Sequence, residues 1–277
     1  MMKIKKVFAA TALGLAMVGF GTPAQSAILS DIIFIVDESG SMDTVQTNLR
    51  NNIGLFASTL TGTGQVDARY GLVGYGNSSV VPRMVTDLTS ASLFATAAAG
   101  LGISGGTEPA YTASAFALNA LDGQTSLFSF RSNAVKNIII FTDEPSNGDT
   151  IARGTVGGSA VTQSIVDGLL TTNNALYNAV LSGAGTITSI GPLATGHSGQ
   201  VFNLSLFNTT NAAQITQFVT DFASAKLQET LTFCQLNPTL PECQGGNNNV
   251  PEPGVLALLG IGIAGLGVLR RRKMTQA

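Results

Sequence analysis

Two short runs constrain this chain more than anything else in it: IIFIV at 32–36 and NIIIF at 137–141. Both are apolar, rich in β-branched residues and free of polar alternation. Each therefore reads as a strand buried on both faces, and such strands belong to a parallel sheet covered by helices. Each also runs into an acid at or just past its carboxyl end, Asp37 after the first and Asp143 after the second.

The stretches between them keep to the same grammar. TVQTNLRNNIGLFASTL at 44–60 spaces Val45, Leu49, Ile53, Phe56 and Leu60 as one helical face. ARYGLVGYG (68–76) has the composition of a strand, with VPRMVTDL (81–88) as its partner. SLFATAAAGL predicts a helix, ISGGTEP a glycine-rich turn, and AYTASAFALNALD a helix over 110–122 with Tyr111, Ala115, Leu118 and Leu121 on one face. SIVDGLL reads as a helix, ALYNAVLSG (175–183) as a strand, GQVFNLSLF (199–207) as a strand or its approach, and AAQITQFVTDFASAKLQETL as the last helix. Alternating strands and helices give an α/β class, a doubly wound and mostly parallel sheet over about residues 28–231. Residues 232–250, rich in Asn, Gly, Pro and Gln, read as a flexible linker.

Both ends lie outside that domain. Residues 1–27 carry three lysines, an apolar stretch from Val7 to Phe20 and then small residues, the order of a secretory signal peptide. Near the other end, VLALLGIGIAGLGVL (255–269) is followed at once by RRRK. As a helix it is about 22 Å long, short for a bilayer core but able to span with local thinning. The basic cluster after it predicts a cytoplasmic tail and an exported body. Setting these ends aside changes the charge: 7 basic residues remain against all 16 acids, a net charge near −9 instead of −2. Such a surface argues against nucleic acid and anionic lipid as partners and attracts cations. In an exported chain Cys234 and Cys243, in CQLNPTLPEC, form a small disulfide loop. The one histidine, His197, sits in a turn-like run and reads as a surface residue, so chemistry built on other histidines is excluded.

In doubly wound sheets ligands bind outside the carboxyl ends of the strands. Asp37 and Asp143 sit there, joined by Ser39 and Ser41 from the first loop and Thr107 from the glycine-rich turn. Oxygen-only donors suit a hard divalent ion, Mg²⁺ first, with Mn²⁺ or Ca²⁺ as alternatives. Singly, each has a plainer reading: Asp37 or Ser39 capping the next helix, Thr107 or Glu108 capping the helix entered at Pro109. Together they favour a metal. Glu38 and Glu108 adjoin these residues and read as solvent-facing or capping. An aspartyl-phosphate enzyme built on Asp37 is disfavoured, because Ser39 stands where that chemistry commonly has a second acid.

DESGS at 37–41, Thr107 in SGGTEP and Asp143 in FTDE resemble the three-part motif of the von Willebrand factor A domain. The resemblance implies a Rossmann-like fold and a metal-ion-dependent adhesion site in which Asp37, Ser39, Ser41, Thr107 and Asp143 surround the ion, some through water. An acidic group of an extracellular protein or polysaccharide then completes the coordination, and no catalysis is implied. A surface structural protein with a purely stabilising metal is the alternative. VPEPGVLALLGIGIAGLGVLRRRK, with Pro251, Glu252 and Pro253 before the apolar run and Arg270, Arg271 and Arg272 after it, resembles a PEP-CTERM sorting signal over 251–277. This second resemblance implies a Gram-negative bacterium, export, transient inner-membrane anchoring, recognition by an exosortase, and a final place on the cell surface or in extracellular matrix.

Overall fold

The computed structural model describes residues 26–77 and 81–245. The signal-peptide expectation and the sorting-signal residues Pro251, Glu252, Pro253, Arg270, Arg271 and Arg272 lie outside the described residues. Among the described residues no helix is long and apolar enough to cross a membrane.

Six strands form the main sheet: β1 (Ile28–Asp37), β2 (Val66–Tyr75), β3 (Arg83–Thr89), β4 (Val135–Thr142), β7 (Leu176–Leu181) and β8 (Val201–Asn203). Their spatial order is β3-β2-β1-β4-β7-β8. All neighbours are parallel except β2 and β3, which form an antiparallel pair at one edge. The two-residue strands β5 (Thr155–Val156) and β6 (Ser159–Ala160) make a separate hairpin. The chain leaves β1 toward β2 and later returns to β4 on the other side. The crevice between β1 and β4 is thus the switch point where such sheets bind ligands.

Helices cover both faces, which is why the central runs of β1 and β4, residues 32–36 and 138–141, are apolar without alternation. Ile32, Phe34 and Val36 of β1 pack with the faces of α1 (Asp43–Thr61), α2 (Ala91–Ala97) and α6 (Ala212–Leu236). Ile33 and Ile35 point the other way, into a second core with α3 (Ala110–Ala117), α4 (Gln163–Thr172) and α5 (Ala184–Gly196). The period-2 geometry of a strand sorts consecutive residues into opposite cores. Phe34 lies at the centre of the first, with Phe94 at 5.1 Å, Phe56 at 5.5 Å and Phe141 at 6.1 Å between ring centroids.

Three local expectations change. The helix expected over 110–122 stops at Ala117, because Asn119 takes a left-handed backbone (φ 59°). Its N–H donates to Phe116 O and that of Ala120 to Ala115 O, the double hydrogen bond that closes a helix C-terminus. The Asn119 side chain then donates to Phe128 O and accepts from Phe128 N, so the partner that fixes this end lies nine residues further on. Next, α5 occupies a stretch where no helix was expected. Its buried residues Thr186, Ile190, Leu193 and Ala194 keep helical spacing, but the glycines and the internal Pro192 hide it. Finally, α6 runs five residues past the expected boundary at 231, and the linker expected over 232–250 is structured up to Gln244. The Cys234–Cys243 disulfide ties the end of α6 to a 3-10 turn, Pro241–Cys243, and Cys234 is buried beside Ile28, Val135 and Leu176. His197 bonds to Asp167 Oδ1 at 2.8 Å and touches no candidate site residue.

Candidate metal centre

Asp37 is the last residue of β1 and is fully buried. Its Oδ1 accepts from the Ser39 N–H at 2.8 Å, and its Oδ2 from Thr142 Oγ1 at 2.9 Å. Ser39 Oγ lies 3.1 Å from Ser41 Oγ, and Ser41 Oγ donates to Asp143 Oδ1 at 3.1 Å. Asp37, Ser39, Ser41 and Asp143 are therefore joined in one run of hydrogen bonds across the ends of two adjacent central strands. The site is closed at Asp37 and open at Ser41. Thr107 approaches from the glycine-rich turn. A Cβ on Gly76 (φ +82°) would lie 3.0 Å from Asp37 Oδ1 and 3.7 Å from Thr107 O, so only glycine lets the turn come this close. The Thr107 hydroxyl makes no hydrogen bond to the other four among the described residues.

Residues that the motif did not indicate hold this frame. Thr142 secures the second oxygen of Asp37. Gln46, buried on α1, donates to the Asp37 carbonyl at 3.1 Å and to Gly102 O at 2.7 Å, joining the first loop to the loop before the glycine-rich turn. Glu38 and Glu108, expected at the surface or in caps, are both buried. The Glu38 carboxylate fills the space above Gly74, where a Cβ would lie 2.6 Å from its Oε2. There it pairs with Arg83 and accepts from the Gly102 N–H at 2.5 Å. Glu108 accepts from Asn147 Nδ2 at 2.8 Å, and its Oε1 has no partner among the described residues. Burial raises the Glu108 carboxyl above its ordinary range, Asn147 opposes that, and the charges of Glu144 and Asp143 add to it.

The electrostatics fit a cation. Burial pushes the Asp37 carboxyl up to about 7, against the hydrogen bonds from Ser39 and Thr142 that lower it, and the charge of Glu108 raises it further. Among the described residues no basic side chain pairs with Asp37 or Asp143. A buried carboxylate with oxygen neighbours and no counter-ion is a setting that a divalent ion relieves. The donor set is two carboxylates and three hydroxyls, and among the described residues no three His, Cys, Asp or Glu side chains gather at one point. Oxygen donors of this kind suit Mg²⁺ or Mn²⁺, with Ca²⁺ also compatible.

The von Willebrand factor type A domain family matches residues 31–182, and the PEP-CTERM protein-sorting motif matches residues 249–273. Among solved structures the chain is similar to the SpRpn10 VWA domain, at 14% identity and a TM-score of 0.48, over 69% of this chain and 94% of that one. No curated protein matches.

Proposed function

Since the chain belongs to the von Willebrand factor type A domain family and carries a PEP-CTERM sorting motif, we propose that it is a displayed, metal-dependent binding protein. The sorting motif marks it for export, membrane anchoring and recognition by an exosortase. Its destination in our reading is the cell surface or extracellular matrix, and its role there is adhesion or protein interaction without catalysis.

The observation that carries this reading is the hydrogen-bonded run from Asp37 through Ser39 and Ser41 to Asp143, in which neither carboxylate is paired with a basic side chain among the described residues. Asp37, Ser39, Ser41, Thr107 and Asp143 would hold the ion, Mg²⁺ in preference to Mn²⁺ or Ca²⁺. When bound, the ion supplies a Lewis-acidic point of positive charge at the open end of the site. Three of the five residues contribute neutral oxygens, so two carboxylates leave the ion attractive to a partner's acidic group. Buried Asp37 fixes one end of the frame, while Ser41 stands where a partner can reach it.

The test is capture of the purified protein on a surface bearing glutamate-rich peptide. Retention is expected in Mg²⁺, loss in chelator, and recovery when Mg²⁺ is restored. Ser41→Ala should weaken retention by about tenfold, the equivalent of one charge-assisted contact. Retention that ignores both chelator and the substitution would refute the reading.

A further inference from the structure

Seven basic residues lie between the two targeting ends, and most are occupied. Arg69 and Arg131 close on Asp31, Arg83 on Glu38, and Lys226 on Glu229. Lys136 donates to Asn173 and lies over the Phe130 ring. Among the described residues only Arg50 and Arg153 have a guanidinium that makes neither a hydrogen bond nor an ion pair. Arg50 is on the middle of α1, away from the strand ends. Arg153 is beside the candidate metal centre.

Arg153 ends a 3-10 turn, Ile151–Arg153, and is half-buried. A Cβ on Gly148 (φ +70°) would lie 2.4 Å from Thr107 Cγ2 and 2.8 Å from Arg153 Nη1. The threonine and the guanidinium therefore meet over a glycine that has to be a glycine. Nη1 is buried and has no hydrogen-bond partner among the described residues. The nearest carboxylate in sequence, Asp149, feels the positive charge but is taken up elsewhere: its Oδ1 accepts from Thr112 N and Oγ1, and its Oδ2 from Ser146 Oγ. A buried guanidinium nitrogen without an acceptor is costly, and a carboxylate is the group that best satisfies a guanidinium.

We propose that Arg153 is a second anchor for the ligand carboxylate, set beside Thr107 so that one carboxylate oxygen faces the cation and the other the guanidinium. This rests on the metal-dependent reading above. The ligand class narrows accordingly. Nη1 is covered in the unligated protein while Arg153 as a whole is half-buried, so the guanidinium turns outward beside Thr107 to meet the carboxylate, and a slim, flexible stem, as in a glutamate side chain, fits that narrow place. A uronate carries its carboxylate directly on the sugar ring and brings the ring's bulk with it. The partner is therefore a protein segment that offers an acidic side chain.

The arrangement has a signature that simple structural support lacks. A guanidinium near a divalent ion opposes binding of the ion but favours binding of an anion that bridges the two. Removing the charge should thus move two affinities in opposite directions. The experiment compares wild type, Arg153→Gln and Arg153→Lys in the purified protein. Mn²⁺ binding is measured alone by calorimetry, and then poly-glutamate and polyuronate binding at saturating Mn²⁺. Arg153→Gln should bind Mn²⁺ at least as tightly as wild type and bind poly-glutamate about tenfold more weakly. Arg153→Lys should recover part of that loss, because it restores the charge without the planar fork. Undiminished poly-glutamate binding by Arg153→Gln with Mn²⁺ binding intact would overturn the inference alone, as would wild type that takes polyuronate and not poly-glutamate. Wild type that binds no Mn²⁺ would overturn the metal-dependent reading and this inference with it.

Discussion

Asp31→Ala should destabilise the fold by about 3 kcal/mol, the low end of the range for breaking a buried ion pair. Asp31 lies near the start of β1 and is fully buried. It accepts from Arg69 Nε at 3.1 Å and Nη2 at 2.9 Å, from the Arg131 backbone N–H at 2.7 Å and from Arg131 Nε at 2.9 Å. Alanine would leave two guanidinium groups facing each other at the amino end of the sheet, with several donors unsatisfied. The low end applies because the Arg69 and Arg131 side chains are 31% and 19% exposed, so both can regain water. Urea unfolding should show the loss as a lower midpoint at unchanged slope. Cation affinity should not change, since six strand residues put Asp31 about 20 Å from Asp37. A loss below about 1 kcal/mol would mean that the network is no stronger than an ordinary surface pair.

At the other end of the same strand the expected effect changes sign with conditions. In chelator, Asp37→Asn should be at least as stable as wild type. The carboxylate is buried without a counter-ion, whereas an asparagine of the same shape keeps its hydrogen bonds. Its Oδ1 can accept from the Ser39 N–H, and its Nδ2 can donate to Thr142 Oγ1, whose own proton then goes to the Glu144 carbonyl 3.3 Å away. With a divalent cation at a hundredfold excess over its Kd, wild type should gain about 2.7 kcal/mol and the variant close to nothing. The order of stability would then reverse. Unfolding midpoints with and without Mg²⁺ measure this directly, and a variant that responds to Mg²⁺ as wild type does would remove Asp37 from the site.

The frame of the molecule was legible because its signals are local. IIFIV and the IIIF of NIIIF are apolar without a break because β1 and β4 are covered on both faces, and the acids that follow them lie at the carboxyl ends of the strands, where doubly wound sheets bind ligands. The pairing of Cys234 with Cys243 was legible from export and spacing alone. What escaped depends on distant partners. The end of α3 is set by Asn119 bonding to Phe128, and no helical periodicity encodes that. Glu38 turns inward because Arg83, 45 residues on, and the bare backbone of Gly74 make room and charge for it. Arg153 lies in a stretch without periodic pattern, and only the fold brings it against Thr107. Thr142 was in plain view next to Asp143, yet its role follows from the register that sets β4 beside β1.

In the reading proposed above, Asp37, Ser39, Ser41, Thr107 and Asp143 hold one divalent cation. The most direct test is equilibrium dialysis of the purified protein against Mn²⁺, alongside Asp37→Asn. One bound ion per chain is expected in wild type, displaced by excess Mg²⁺, and none in the variant. No bound ion in wild type, or an equal amount in the variant, would contradict it.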